Sequence, residues 1–434
     1  MEKKIKITAI VAVCLLVILQ ISSMIIFSGD QIEDSEDYKK LAIENAESNS
    51  FYPDEDDRYA KFMATPGFIN YLSLFYRIAD SDKFPITANI LLVIVMAGCI
   101  YFIAWKLFKN KTIAWLSLLL LAIFPTFIGE ILSLRSEILF TTLAYAAVAI
   151  FLSDNRFKYI FCGVILALAN WVRPLGLVFF LAIILYMIMT KARFINYIKL
   201  VSAVLVIVLL LGSATYLSSG YFDFQSVTGG VNFIMGANDD ADGSYSQIAF
   251  RNGNIADLEN FDELTYKEKD SIWISRSNEW IKQNPGKYIG LIPAKLYYMY
   301  AVDTYAFSTI YNDGTTTSSS EYISSLAGKV LRFRFNSMTW IDFVVTINQG
   351  IYMVYLILLI LSFIIQLIKK TNIKEIIFLL AILIFGTGMT ILTVGGARYH
   401  YPYLPIFFIM SAAFIYNIIL KGNLKTLRKH NKQS

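Results

Sequence analysis

Apolar residues run along this chain in long blocks, separated by short polar turns and by two extended polar segments. A helix of about 20 apolar residues matches the hydrocarbon thickness of a bilayer. Such blocks lie near 7–27, 86–107, 112–128, 131–152, 158–172, 174–190, 197–217, 341–368, 375–394 and 401–420, which predicts about ten transmembrane helices. The fifth and sixth are short and meet at Val172-Arg173-Pro174; the third and fourth meet in a tight turn near Phe124-Pro125. The predicted fold class is an all-α polytopic membrane protein. The first block begins just after Lys3, Lys4 and Lys6 and runs to Phe27. It is long for a signal-peptide core and has no clear small-x-small cleavage site, so it reads as a retained span.

Lysines and arginines orient the pattern, because short cytoplasmic loops are enriched in them. Lys3, Lys4 and Lys6 precede the first span, and Lys106, Lys109 and Lys111 separate the second from the third. Arg156 and Lys158, then Lys191, Arg193 and Lys199, then Lys369, Lys370 and Lys374 fill three further loops, and the C-terminal tail is basic. With ten spans all of these fall on one side. The short loops opposite carry single arginines: Arg135, Arg173 and Arg398. We therefore expect a multi-pass cell-membrane protein with both termini cytoplasmic and an extracytoplasmic active face.

Two long polar segments then lie outside. The first, about 28–85, is acidic and ends in Thr65-Pro66-Gly67-Phe68 through Ile78, the pattern of an amphipathic helix on the membrane surface. The second, about 218–340, mixes turn-rich stretches with a helix, a break at Asn284-Pro285-Gly286 and a second helix reaching Asp303. Composition agrees with membrane burial: 56% hydrophobic, 16% charged, mean hydropathy +0.55. Soluble domains average about 25% charged. The net charge of +5 is explained by the basic loops and gives no reason to expect nucleic acid. Cys14, Cys99 and Cys162 lie far apart in apolar runs, so neither a disulfide framework nor a Cys-x-x-Cys site is indicated.

Ionisable residues at a membrane edge are costly and mark candidate function. Asp30, Glu33, Asp34 and Asp37 follow the first span; Glu130, Arg135 and Glu137 flank the turn into the fourth. Arg173 lies between the fifth and sixth, and Arg398 and His400 lie between the ninth and tenth. Guanidinium groups suit phosphate through paired parallel hydrogen bonds. A neighbouring carboxylate suits a general base acting on a hydroxyl. Each residue alone could equally be an interfacial anchor or a structural ion pair; it is their convergence on one rim that suggests a site.

Four phrases resemble the GT-C class of polyprenyl-phosphate-dependent glycosyltransferases, in the branch of protein O-mannosyltransferases and bacterial aminoarabinose transferases. Asp34-Ser35-Glu36-Asp37-Tyr38-Lys39-Lys40-Leu41-Ala42 is similar to that family's D-x-x-x-Y-x-x-x-A loop after span one. Thr65-Pro66-Gly67-Phe68 resembles its P-G-[YF] segment, and Asn284-Pro285 through Lys295 its N-P-x-x-Y-x-x-L-x-x-x-K stretch. Arg398-Tyr399-His400-Tyr401-Pro402-Tyr403-Leu404-Pro405 is similar to its R-Y-x-x-P-x-x-P approach to a late span. The resemblance implies inverting transfer of a sugar from a lipid-phosphate donor to a glycan, lipid or protein acceptor. It implies Asp34 as the base, with Asp30, nearer the membrane, second. Pro53-Asp54-Glu55-Asp56-Asp57-Arg58-Tyr59-Ala60 resembles the P-D-E-x-R-Y-A signature of the aminoarabinose branch, with one extra residue, and ranks third. Arg398 would hold the donor phosphate, with Arg58, Lys61 or Arg173 assisting and Glu137, His400 and Tyr399 beside them. Some relatives use a divalent metal; carboxylates are plentiful here, no ligand spacing is diagnostic, and the cofactor stays open. No large β-trefoil-like insertion of the eukaryotic mannosyltransferase type is recognisable.

The expected organisation is a seven-span module over 1–217 that includes the outer loop 28–85, an extracytoplasmic segment over 218–340, and three spans with a basic tail over 341–434. Other readings are a glycan ligase or polymerase using a diphosphate-linked donor, a lipid-linked sugar transporter or flippase, and a non-catalytic scaffold. Transporters favour internal repeats and midplane charges, and neither is seen here. A ligase would favour a basic late outer loop, and 218–340 is not notably basic.

Overall fold

A computed structural model describes residues 1–27, 31–32, 34–48, 51, 63–311 and 319–420. Among them the secondary structure is helical, apart from one isolated parallel bridge between Ser244 and Gly395. Six helices are long and apolar enough to cross a membrane: α1 (Glu2–Phe27), α4 (Lys83–Phe108), α10 (Phe194–Ser219), α17 (Trp340–Lys369), α18 (Ile373–Leu392) and the final one, which contains α19 (Leu404–Phe414). A seventh is bent by 58° where α5 (Lys111–Ala122) passes into Thr126–Leu132. Three shorter apolar helices are α7 (Ser136–Leu152), α8 (Lys158–Val172) and α9 (Gly176–Met189). The molecule is a polytopic membrane protein.

Local chemistry sets the helix ends. Asn110 caps α5 by accepting from the amides of Thr112 (2.8 Å) and Ile113 (3.4 Å), which satisfies two otherwise unpaired donors. Thr339 and Asp342 form a reciprocal capping box at the start of α17. At the end of α10, Gly220 takes the left-handed conformation (φ 77°) that stops a helix without a Cβ clash.

Burial sorts the helices by position. α19 is buried almost throughout, and nearly every residue of α7 is buried. α1 and α10 bury few residues and present Leu15, Ile18, Leu205, Val206, Leu209 and Leu210 outward, as lipid-facing helices do. α19 packs between α5 and α17; α7 packs between α4 and α8; α9 lies against α18.

The turn expected near Phe124-Pro125 is instead a broken helix. Pro125 lacks an amide hydrogen and cannot continue the ladder of α5. The chain bends into Thr126–Gly129 (α6) and a 3-10 turn over Glu130–Leu132 before α7 starts at Ser136. Irregular backbone at this depth needs buried partners. Gln20 of α1 donates to the Phe127 carbonyl (2.8 Å), and Asn89 of α4 donates to the Ile131 carbonyl (3.0 Å). Gln31 donates to the Leu132 carbonyl (3.1 Å) and accepts from the Leu134 amide (3.0 Å).

Outside the membrane core, α2 (Asp34–Glu47) packs on α3 (Pro66–Tyr76). α3 is not a one-sided surface helix. Its first turn is enclosed, with Thr65 Oγ1 donating to the Val172 carbonyl at 2.8 Å. In the later segment α11 (Gly229–Met235) lies on α12 (Tyr266–Gln283) over a small apolar cluster that includes Ile234, Leu258 and Trp273. After α12 come α13 (Pro285–Gly290) and α14 (Ile292–Tyr300). The expected second helix thus breaks again at Leu291, where Pro293 takes the first turn of α14, a position that does not need its missing amide hydrogen.

Candidate active site

The elements above deliver charged residues from four distant parts of the chain to one place. Asp34 opens α2, where its carboxylate also complements the positive end of the helix. Glu137 lies in the first turn of α7, Arg173 caps the end of α8, and Arg398 lies on the loop between α18 and α19. Glu137 is 2% exposed, and its Oε1 lies 2.5 Å from Arg173 Nη1 and 3.8 Å from Arg398 Nε. Arg398 also pairs with Asp34 through Nη2. One buried carboxylate therefore holds two guanidiniums side by side, and a second, more exposed carboxylate closes over one of them.

A second ion pair lies beside this group. Arg135 Nη2 is 3.0 Å from Glu130 Oε2, with both side chains buried. The ring of Tyr305 bridges the two groups: its centroid is 4.3 Å from the Arg135 guanidinium carbon and 5.3 Å from that of Arg398. Tyr399 is half-buried next to Arg398, and Tyr38 packs edge-on against Phe68.

The charges tune their neighbours. Burial opposes the charge of Arg398, yet Asp34 and Glu137 hold its pKa well above the ordinary value. Arg173 is raised in the same way, with Glu137 overcoming burial. Burial and then the Asp34 carboxylate push the Tyr38 phenol above its usual range. Burial raises Tyr399 against the pull of Arg398 and Arg173. Both phenols therefore stay protonated and available as hydrogen-bond donors.

The sequence-derived candidates separate into three groups. Asp34, Glu137, Arg173, Arg398 and Tyr399 come together. His400 is fully buried behind them, its Nδ1 2.7 Å from the Met299 carbonyl and its Nε2 3.1 Å from Asp303 Oδ1. Asp30, Arg58 and Lys61, together with the 53–60 phrase, lie outside the described residues. Sequence reasoning did not single out Tyr305 or Asp303. Tyr305 had no signal beyond its place near the end of the expected second outer helix. Among the described residues no group of three or more His, Cys, Asp or Glu is arranged to hold a metal ion.

An apolar groove of about 470 Å³ opens between α9 and α18, lined by Pro174, Leu177, Leu181, Ile384, Gly388 and Leu392. Pro174 follows Arg173 directly, so one end of the groove adjoins the guanidinium pair. A second apolar groove, of about 510 Å³, lies between α14, α17 and α18.

This is a multi-pass membrane protein with a buried arginine–carboxylate site at one end of its helices. Residues 64–216 match the family model of the dolichyl-phosphate-mannose-protein mannosyltransferases. Among curated proteins there is no significant match. Among solved structures, the archaeal oligosaccharyltransferase AglB from Archaeoglobus fulgidus, in complex with an inhibitory peptide and a dolichol-phosphate, is similar at 11% identity. That similarity covers 98% of this chain and 51% of AglB, with a TM-score of 0.47; the chain spans about half the length of that protein.

Proposed function

We propose that the protein transfers a sugar from a polyprenyl-phosphate donor to a hydroxyl-bearing glycan, lipid or protein on the extracytoplasmic face, with inversion at the sugar carbon. One observation carries this reading: Asp34 and Arg398, both outside the matched segment, meet Glu137 and Arg173, both inside it. Residues 1–217 act as the catalytic module, 218–340 as the extracytoplasmic segment that braces it, and 341–434 as the part that supplies Arg398.

Arg398 and Arg173 bind the donor phosphate, and they stabilise the charge that grows on it as the glycosidic bond breaks. Glu137 keeps the two guanidiniums in register. The groove beginning at Pro174 takes the first isoprene units, because it is apolar and starts beside Arg173. Asp34 accepts the proton of the acceptor hydroxyl as its oxygen attacks the sugar carbon. Tyr38 and Tyr399 donate hydrogen bonds to sugar or phosphate oxygens. In the present arrangement Arg398 is occupied by Asp34, so the phosphate must displace the carboxylate and thereby frees the base.

The test is transfer from a panel of polyprenyl-phosphate sugars by purified protein in lipid nanodiscs, comparing wild type with Asp34→Asn and Arg398→Ala. Loss of transfer in both variants with the fold intact is the expected result. Survival of Asp34→Asn combined with loss in Asp30→Asn would move the base to Asp30. Consumption of a diphosphate donor and of no monophosphate donor would replace this reading with a ligase or polymerase.

A further inference from the structure

We infer that Asp303 is a positioning residue that fixes the phosphate-binding arginine through His400. The inference rests on the proposed role of Arg398.

The loop 393–400 carries Arg398, and neighbouring chain holds it at two points. In its middle, Gly395 donates to the Gly243 carbonyl (2.8 Å) and accepts from the Tyr245 amide (3.1 Å). At its end, His400 is bound by the Met299 carbonyl and by Asp303. Arg398 is two residues from His400, and the turns between them are tight: the Tyr401 amide donates to the Arg398 carbonyl (3.2 Å), and the Tyr403 amide to the His400 carbonyl (2.9 Å). A shift of the imidazole is therefore passed to the guanidinium.

Asp303 is built to hold still. It is 3% exposed. Its Oδ2 accepts from Thr126 Oγ1 (2.5 Å) and Asn348 Nδ2 (3.1 Å), and its backbone carbonyl accepts from Asn348 Nδ2 (2.6 Å). Its amide donates to Gln349 Oε1 at 2.9 Å. One carboxylate thus joins the broken helix after α5, the start of α17 and the Arg398 loop. It touches neither Asp34 nor the arginine pair.

A carbonyl only accepts, so His400 Nδ1 carries a proton toward Met299. At Nε2 the partner is Oδ1 of Asp303. An asparagine at 303 can make the same contacts: its amide nitrogen donates to a neutral Nε2, and its oxygen accepts from Thr126 and Asn348. An alanine can make none of them.

The test is the affinity of the full-length protein in nanodiscs for a polyprenyl monophosphate. Asp303→Ala should weaken binding by about tenfold or more, as expected for a displaced anchoring group. Asp303→Asn should stay within about threefold of wild type. In an Arg398→Ala background Asp303→Ala should add almost nothing, because both changes remove one interaction. His400→Leu keeps bulk and removes the link; it should reproduce the Asp303→Ala defect and serves if that variant does not fold. Additive losses, or an Asp303→Asn variant as weak as Asp303→Ala, would overturn the inference. If Arg398→Ala itself leaves phosphate binding unchanged, the assignment of Arg398 fails and not the coupling of Asp303 to its loop.

Discussion

The contact between Arg398 and Asp34 sets the residue-scale chemistry. A carboxylate on a phosphate-binding guanidinium competes with phosphate, and like charges placed together repel. Replacing Asp34 with asparagine removes the competitor and the proposed base at once. We expect Asp34→Asn to bind a polyprenyl monophosphate more tightly than wild type, by a few-fold for one partly exposed charge, while transfer is lost. Titration in nanodiscs and a transfer assay read the two effects separately. Weaker binding in Asp34→Asn would mean that Asp34 helps to hold the phosphate, as it would through a bound cation. Much of this group was legible in the sequence. An acidic residue just after a first span and single arginines in the short turns between apolar blocks are expensive enough to stand out. Asp303 was not legible, because an aspartate within a polar segment looks solvated until tertiary structure buries it. His400 was legible only as a residue near Arg398, since its direction depends on the turn that follows.

At the scale of elements, hydrophobic length was readable and interruption was not. The long spans appear in the sequence because a bilayer rewards unbroken apolar runs. The sequence predicts only a turn after α5, since Phe124-Pro125 gives the place but not the 58° bend or the extra helical turns. Gln20 and Asn89, lone amides within apolar blocks, were the overlooked signal: each satisfies a carbonyl freed by that break. The start of α3 is equally constrained. A Cβ on Gly67 would lie 2.8 Å from the Trp171 carbonyl carbon and oxygen and from the Val172 amide, all of them backbone. Gly67→Ala must push α3 away from the end of α8, just before Arg173. We expect a loss of about 1–3 kcal/mol, as for overpacked sites, read as a lower melting temperature, with reduced phosphate binding in the folded fraction. Lys295 of α14 gives a pH-dependent prediction. It is fully buried, with its ammonium 3.0 Å from the Ile391 carbonyl and 4.3 Å from the centre of the Tyr288 ring. Burial lowers its pKa from 10.5 to about 8. Above about pH 8 the folded state releases a proton that the unfolded state keeps up to about 10.5, so the burial penalty is relieved as pH rises through this window. The melting temperature of Lys295→Met should therefore fall more steeply, or rise less, than that of wild type between these pH values. Parallel curves for the two proteins would show that Lys295 keeps its charge by finding solvent.

At the scale of the whole molecule, the two ends of the helix bundle differ in charge, and that difference predicts orientation. The proposed site gathers the C-terminal ends of α1, α8 and α18 and the N-terminal ends of α7 and α19. The opposite ends of the bundle carry Lys106, Lys109 and Lys111 between α4 and α5, Arg156 and Lys158 between α7 and α8, Lys191 and Arg193 between α9 and α10, and Lys369, Lys370 and Lys374 between α17 and α18. These loops are short, so the bias of positive residues toward the cytoplasm applies to them directly. The site end has positive residues too, including Lys83, Arg173 and Arg398, but Arg173 and Arg398 are neutralised by buried or half-buried carboxylates. The bundle should therefore insert with the site outside. In intact cells expressing a variant without its native cysteines, a cysteine replacing exposed Asp239 should react with a membrane-impermeant maleimide. A cysteine replacing Arg156 should react only after permeabilisation. The reverse pattern would put the arginine–carboxylate group in the cytoplasm, where a soluble nucleotide-sugar becomes an available donor and the need for a lipid-phosphate carrier disappears. Labelling of both positions from outside would mean that an even number of crossings separates Arg156 from Asp239, whereas α8, α9 and α10 make three. The same pair of cysteines thus tests the orientation and, through it, the donor class on which the proposed chemistry depends.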